Sequence, residues 1–242
     1  MVLRVAFLHV GQDTILPRIM IRSIRQFNPD ARVTQCSDRA TPEVSGVDEV
    51  VRLDGDTGRL MTFRLRSFAG LPISEPTLFL DTDMVCVDRI DAVSELSEYD
   101  VSVCVREFNK DMLFDPRAMD IDLREYEGRT LDEVYPYLAC AVIAKNPEFW
   151  SLCLNNLISL PDKFHRWFGD QEAMRNVIAA GIWSIGRLRE SLYACLPDLV
   201  DDPAHRPKLV HFKGPMRKQW MIDGAREAGW LDDPLTAQKE QR

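Results

Sequence analysis

The sequence predicts an α/β fold with a single, mostly parallel central sheet flanked by helices. Three observations predict it. Strand-like and helix-like segments alternate along nearly the whole chain, the strand candidates are short apolar runs such as Leu78-Phe79-Leu80, and those runs are too apolar for a sheet with one face in water. With 242 residues, 45% of them hydrophobic, the chain can bury a large core. It carries no internal repeat, low-complexity tract or composition break, so residues 1–242 read as one domain.

The elements follow in order. Residues 2–10 read as the first strand; the run is broken by Arg4 and lacks a small-residue cleavage site, so a strand and not a signal peptide is the expectation. Residues 15–27 predict a helix with Pro17 in its first turn, where a missing N–H costs nothing, and Asn28-Pro29-Asp30 ends it. Strands at 31–36 and 49–53 precede a helix over 59–69, stopped by Gly70 and Pro72. The strand at 77–87 carries Asp81 and Asp83, and 101–105 is strand-like again. Residues 106–135 are polar, poorly periodic and too long for an ordinary connection, which marks a functional loop. A strand at 137–145, helices at 147–160 and 171–180, the second with Asp170 as its N-cap, and strands at 191–196 and 209–212 complete the order.

Composition narrows the function. A net charge of −8, from 38 acidic and 30 basic residues, excludes a whole-surface nucleic-acid footprint, so any anionic ligand must be held locally. The six cysteines, Cys36, Cys86, Cys104, Cys140, Cys153 and Cys195, lack zinc spacing and read as buried free thiols of a reducing compartment. No apolar run approaches the roughly 20 residues that span a bilayer. In residues 221–242, Arg226, Lys239 and Arg242 are outnumbered by Asp223, Glu227, Asp232, Asp233 and Glu240, so no electrostatic membrane anchor is expected. A cytoplasmic protein without integral membrane association is the expectation.

Asp81 and Asp83 are the strongest chemical signal. Carboxylates inside an apolar run are costly unless partnered, and on a strand these two point to the same side while Thr82 points away. At the carboxyl edge of an α/β sheet, where ligands bind, the pair suits a hard cation that also neutralises a diphosphate. An Asp-x-Asp alone is weak evidence, and a solvated turn explains it as well.

The ordered set of motifs is more specific. Arg64-Leu65-Arg66 on a helix, an apolar strand ending in Asp81-Thr82-Asp83, Ala139-Cys140-Ala141 on a later strand, Asp170-Gln171 at a helix start and a late His211-Phe212-Lys213-Gly214 run across nearly the whole chain. In that order they resemble the GT-A nucleotide-sugar glycosyltransferases, and within them the family-eight group that includes galactosyltransferases and glycogenin. The resemblance implies a GT-A fold and a metal-dependent hexosyltransferase that passes a sugar from a UDP-sugar to a carbohydrate or glycoconjugate acceptor with retention of configuration. It makes Asp81, Asp83 and His211 the metal ligands. It puts Arg64 and Asp81-Thr82-Asp83 on the donor, and His9-Val10-Gly11-Gln12 at the nucleobase and ribose. Asp170 falls on the donor sugar, Gln171 beside the anomeric carbon, and Gly214 with Arg217 or Lys218 at the diphosphate.

Several of these positions make physical sense alone. An imidazole added to two carboxylates suits manganese better than magnesium, Gly214 lets backbone approach a phosphate, and Arg217 and Lys218 supply charge to a leaving diphosphate. Bland readings stand beside them: a structural histidine at a strand end, a solvated arginine on a helix, an N-cap and its neighbour. Ala139-Cys140-Ala141 departs from the family's Asn-Ser/Ala-Gly and offers almost no hydrogen-bonding side chain, which predicts relaxed donor choice on that side. Two alternatives remain. Asp81-Thr82-Asp83-Met84-Val85 also fits a haloacid-dehalogenase-type phosphatase with Asp81 as nucleophile and Asp83 as acid. That family has its motif on the first strand and a second Asp soon after a Gly-Asp, whereas here three strands come first and Gln171-Glu172-Ala173-Met174 follow Gly169-Asp170. The other is a nucleotide-sugar-binding protein of the same fold without transfer.

Overall fold

The structure, a computed structural model, describes residues 2–91, 98–115 and 126–231. Seven strands form the main sheet: β1 (Arg4–Leu8), β2 (Arg32–Ser37), β3 (Glu49–Arg52), β4 (Thr77–Leu80), β6 (Val101–Val105), β7 (Tyr137–Ala144) and β8 (Ile185–Arg189), in the order β3-β2-β1-β4-β7-β6-β8. β1 runs parallel to β2 and β4, β2 to β3, and β6 to β8, while β7 is antiparallel to both neighbours. A second, two-stranded sheet joins β5 (Met84–Cys86) to β9 (Leu209–His211). The helices are α1 (Ile15–Phe27), α2 (Leu60–Ala69), α3 (Leu131–Val134), α4 (Glu148–Ile158), α5 (Gly169–Ala179), α6 (Glu190–Tyr193) and α7 (Pro215–Glu227).

Strand pleat divides the core in two. Val5 and Phe7 of β1 and Leu78 and Leu80 of β4 pack with Met20, Ile21 and Ile24 of α1. Ala6 and Phe79, one residue out of phase, face the other side and meet Phe68 of α2, Trp150 of α4 and Met174 of α5. Phe68, Phe79 and Trp150 form a tilted and edge-on cluster with centroids 4.7–5.1 Å apart, each ring contributing about 1.5–3 kcal/mol through burial. α7 closes on α1 through Met221 and Ala225 against Ile19.

Three expectations are corrected. The strand expected over 77–87 is two strands in different sheets, because the chain turns at Asp81–Asp83. The first half of the strand expected at 191–196 belongs to α6; the eighth strand is Ile185–Arg189 instead, and in the second half only Cys195 makes an isolated bridge, to Val210. Reciprocal tertiary hydrogen bonds fix that corner: Glu190 accepts the N–H groups of Glu107 and Phe108 at 2.6 and 2.7 Å, and Glu107 accepts the Ser191 N–H at 2.9 Å. Finally, α5 begins at Gly169, not after Asp170, so Asp170 lies inside the first turn and is not the N-cap.

The segment 106–135 carries α3 in its described part, where the Thr130 N–H donates to Glu133 at 2.8 Å, and its Phe114, Tyr126, Val134 and Tyr135 form their own apolar cluster. Residues 116–125 and 232–242 lie outside the described residues, and with them Asp232, Asp233, Lys239, Glu240 and Arg242 of the tail. All six cysteines are buried and unbridged. No described helix is long and apolar enough to cross a membrane.

Candidate active site

The parallel pair β1 and β4 opens its carboxyl ends on the same edge of the sheet, the edge where α/β proteins place ligands. β1 delivers His9 and Val10 there; β4 delivers Asp81, Thr82 and Asp83. With Arg64 and Met61 of α2 and Lys218 of α7 these residues line a cleft of about 230 Å³.

The two aspartates converge through a turn. The Asp81 N–H donates to the Cys140 carbonyl at 3.1 Å, and the Asp83 carbonyl accepts the Phe212 N–H at 2.9 Å. The second contact belongs to the β5–β9 ladder, whose register sets Met84 opposite His211 and so carries His211 across more than a hundred residues of chain to Asp83. His211 Nε2 lies 3.4 Å from Asp83 Oδ1, and Lys218 Nζ lies 3.2 Å from Asp83 Oδ2. One donor atom from each of Asp81, Asp83 and His211 falls within 4.8 Å of the others, a set of two hard oxygens and one imidazole nitrogen that fits a divalent cation of the manganese type.

Charge is distributed unevenly over the triad. Burial pushes the Asp81 carboxyl up to about 6 against the pull of Arg64, with Asp83 adding to the rise. Burial also opposes ionisation of Asp83, but His211 and Lys218 outweigh it and bring that carboxyl down to about 2. For His211, burial disfavours the charged ring, yet Cys140 and Asp83 prevail and raise it to about 10. At the β1 end, burial lowers the pKa of His9 despite Asp13 and Asp38, so a neutral imidazole faces the cleft.

Arg64, read from sequence as either a solvated helix charge or, by the resemblance, a donor contact, is 9% exposed. It pairs with Asp81 at 2.6 Å and Asp170 at 3.0 Å, and it donates to the Ala139 carbonyl at 2.8 Å. Asp170 completes its coordination by accepting the Gln171 N–H at 2.8 Å. Gln171 follows on the first turn of α5, and its buried Oε1 has no hydrogen-bond partner among the described residues. The turn before it is tightly built: Phe168 is left-handed at φ 58°, and a Cβ on Gly169 would lie 2.0 Å from the Phe164 carbonyl oxygen. Gly169→Ala is therefore expected to destabilise the protein by about 1–3 kcal/mol, read as a lower melting temperature, and to displace Asp170.

The remaining expected residues divide. Of the two candidate cations, Lys218 lines the cleft, whereas Arg217 is committed to Asp198 through two bonds of 2.8 and 3.0 Å. Gly214 precedes α7 with φ 89°, a conformation glycine adopts freely. Gly11 and Gln12 bond to the neighbouring loop, at Thr41 Oγ1 and the Ala40 carbonyl, both at 2.9 Å, so the cleft wall at this end is His9 and Val10. Ala139 packs in the Phe68–Trp150 core, and Cys140 on the opposite face packs with Cys104 and lies beside His211. Sequence reasoning named Cys140 only within the Ala139-Cys140-Ala141 departure and missed its place beside His211, and it missed Leu60 and Met61 as cleft lining, which carry no charge or motif that would have marked them.

No family model and no curated protein matches the sequence. Among solved structures the chain is similar to the galactosyltransferase LgtC, crystallised in complex with donor and acceptor sugar analogues: 10% of residues are identical, the TM-score is 0.56, and the match covers 95% of this chain and 100% of that one. The expected architecture is thereby established: over nearly its full length the chain has the α/β fold of that galactosyltransferase, the GT-A fold.

Proposed function

We propose that the protein is a metal-dependent glycosyltransferase that moves a hexose from a UDP-sugar to a hydroxyl of a carbohydrate or glycoconjugate acceptor, with retention of configuration. One observation carries this reading: Asp81 and Asp83 line one cleft with Arg64 and Lys218, and His211 joins the two carboxylates to complete a cation set, at the strand ends of a fold shared with a galactosyltransferase. Asp81, Asp83 and His211 would hold the cation, which when bound supplies Lewis acidity to a departing diphosphate.

The chain's own groups do the rest. Lys218 sets a positive charge beside Asp83, where the negative charge of the leaving phosphates grows. The neutral His9 and the apolar Val10 form the wall for the nucleoside. On this reading Asp170, fixed by Arg64 and by the Gln171 N–H, would meet sugar hydroxyls and the Gln171 amide would face the anomeric carbon; neither residue is among those lining the cleft. With Ala139 in the core and Cys140 turned to His211, β7 adds no hydrogen-bonding side chain to the donor, consistent with loose discrimination on that side.

The test is a melting-temperature series with UDP-sugars, Mn2+ and both together, followed by UDP release in the presence of acceptor sugars. The pair should stabilise more than the sum of its parts, and UDP release should depend on acceptor. Stabilisation without release under any acceptor would indicate binding without transfer, and a phosphoryl group trapped on Asp81 would indicate a phosphatase.

A further inference from the structure

Arg64 is enclosed in a way that a simple donor contact does not explain. Nη2 touches Asp81 Oδ1 at 2.6 Å and the Ala139 carbonyl at 2.8 Å, Nη1 touches Asp170 Oδ2 at 3.0 Å, and the guanidinium lies over the Phe68 ring, 5.5 Å from its centroid. The two carboxylates come from different layers of the fold: Asp81 from the turn after β4, Asp170 from the first turn of α5. A planar, permanently charged fork is the side chain that can span them, which a lysine's single nitrogen cannot. Of the carboxylates in the cation set, Asp83 draws its positive charge from Lys218 and His211, and Asp81 draws its own from Arg64.

We propose that Arg64 is the resident counter-cation and positioning residue of this site, sharing the Asp81 carboxylate with a bound divalent cation and tying that carboxylate to Asp170, so that the cation site and the Asp170 carboxylate behind it are energetically linked. A cation that takes charge from Asp81 loosens its hold on the guanidinium, whose bonding shifts toward Asp170. By reciprocity, a sugar engaged at Asp170 changes the affinity for the cation by the same factor. The sugar half of this proposal rests on the transferase reading; the cation half stands on the Arg64–Asp81 contact alone.

The experiment measures Mn2+ affinity at pH 8, by electron paramagnetic resonance of free Mn2+, for the wild type, Arg64→Gln and Arg64→Lys, alone and with UDP or UDP-galactose. Circular dichroism melts accompany each variant. Removing the charge beside Asp81 should tighten Mn2+ binding about tenfold in Arg64→Gln, and Arg64→Lys, which keeps the charge, should stay within about twofold of wild type. A side chain that only holds the fold together would weaken binding in both. The wild type should bind Mn2+ with different affinity in its UDP and UDP-galactose complexes, and both variants should lose that difference. Weaker or unchanged Mn2+ binding in folded Arg64→Gln overturns the counter-cation role. Should Arg64→Gln fail to fold, Arg64→Lys decides: wild-type Mn2+ affinity without the UDP-galactose difference supports the proposal, and a retained difference overturns it. A wild type that binds Mn2+ but neither nucleotide refutes the transferase reading, and the Mn2+ comparison of the variants then decides the role of Arg64 by itself.

Discussion

Asp83→Asn and His211→Ala are each expected to lower sugar transfer about a hundredfold or more and to abolish Mn2+-stimulated UDP-sugar binding, because each removes a ligand of the cation that would neutralise the developing diphosphate. Asp83 is the hub of the site, with His211 at 3.4 Å on one oxygen and Lys218 at 3.2 Å on the other. Asn keeps its shape and loses its charge. The fold should survive both changes, since the structural duties of these residues are carried by backbone: the Asp83 carbonyl accepts the Phe212 N–H, and the His211 N–H donates to the Cys195 carbonyl. Lys218, whose side chain is 42% exposed, can turn to water once Asp83 is neutral. Steady-state kinetics and Mn2+ titration calorimetry check this together, and full activity in excess chelator would remove the metal from the mechanism altogether.

Much of the fold is legible because local and tertiary signals agree. α1 and β6 begin and end where the sequence predicts, at 15–27 and 101–105, since Asn28-Pro29 stops the helix and the strand is apolar on both faces. β8 escapes notice for the opposite reason. Its Ile185-Gly186-Arg187-Leu188-Arg189 alternates, as an edge strand does, but glycine and two arginines depress its apolar character. The apolar stretch beyond it is bent into α6 by the Glu107–Glu190 hydrogen bonds, which join residues more than eighty positions apart and leave no local trace.

The site shows the same division. Asp81 and Asp83 announce themselves as charges within an apolar run, yet what converges them is a turn between two sheets and not the strand pleat. Arg64 does not announce itself: arginines on helices are mostly exposed, and its burial depends on Asp170 arriving from more than a hundred residues away. The choice between Arg217 and Lys218 is likewise a matter of helix phase. Successive residues on α7 point about 100° apart, and Asp198 captures the first while the second reaches the cleft.

The affinity for Mn2+ is expected to rise by about one decade per pH unit between pH 6 and 8, and by about two decades per unit below pH 6, because the ligands must shed their protons before they bind a metal. The three ligands enter at different pH. Asp83, held near 2 by His211 and Lys218 against its burial, is ionised throughout and adds no slope. His211, raised to about 10 by Cys140 and Asp83 against its burial, must release one proton across the whole neutral range. Asp81, pushed up to about 6 chiefly by burial, adds a second proton only in acid. The sign for stability is opposite to the sign for metal binding: because the folded-state pKa of Asp81 lies above its ordinary 3.8, its proton stabilises the fold below that value, and this contribution fades as pH rises through 6. A metal-loaded protein should therefore gain stability over the window in which the metal-free protein loses the Asp81 contribution. Titrations of Mn2+ at fixed ionic strength from pH 5 to pH 8 measure the slopes, with His211→Ala expected to flatten the neutral limb and Asp81→Asn to remove the extra steepness in acid. A flat neutral limb in the wild type would mean that His211 is already neutral there and that Asp83 and Cys140 do not hold its proton.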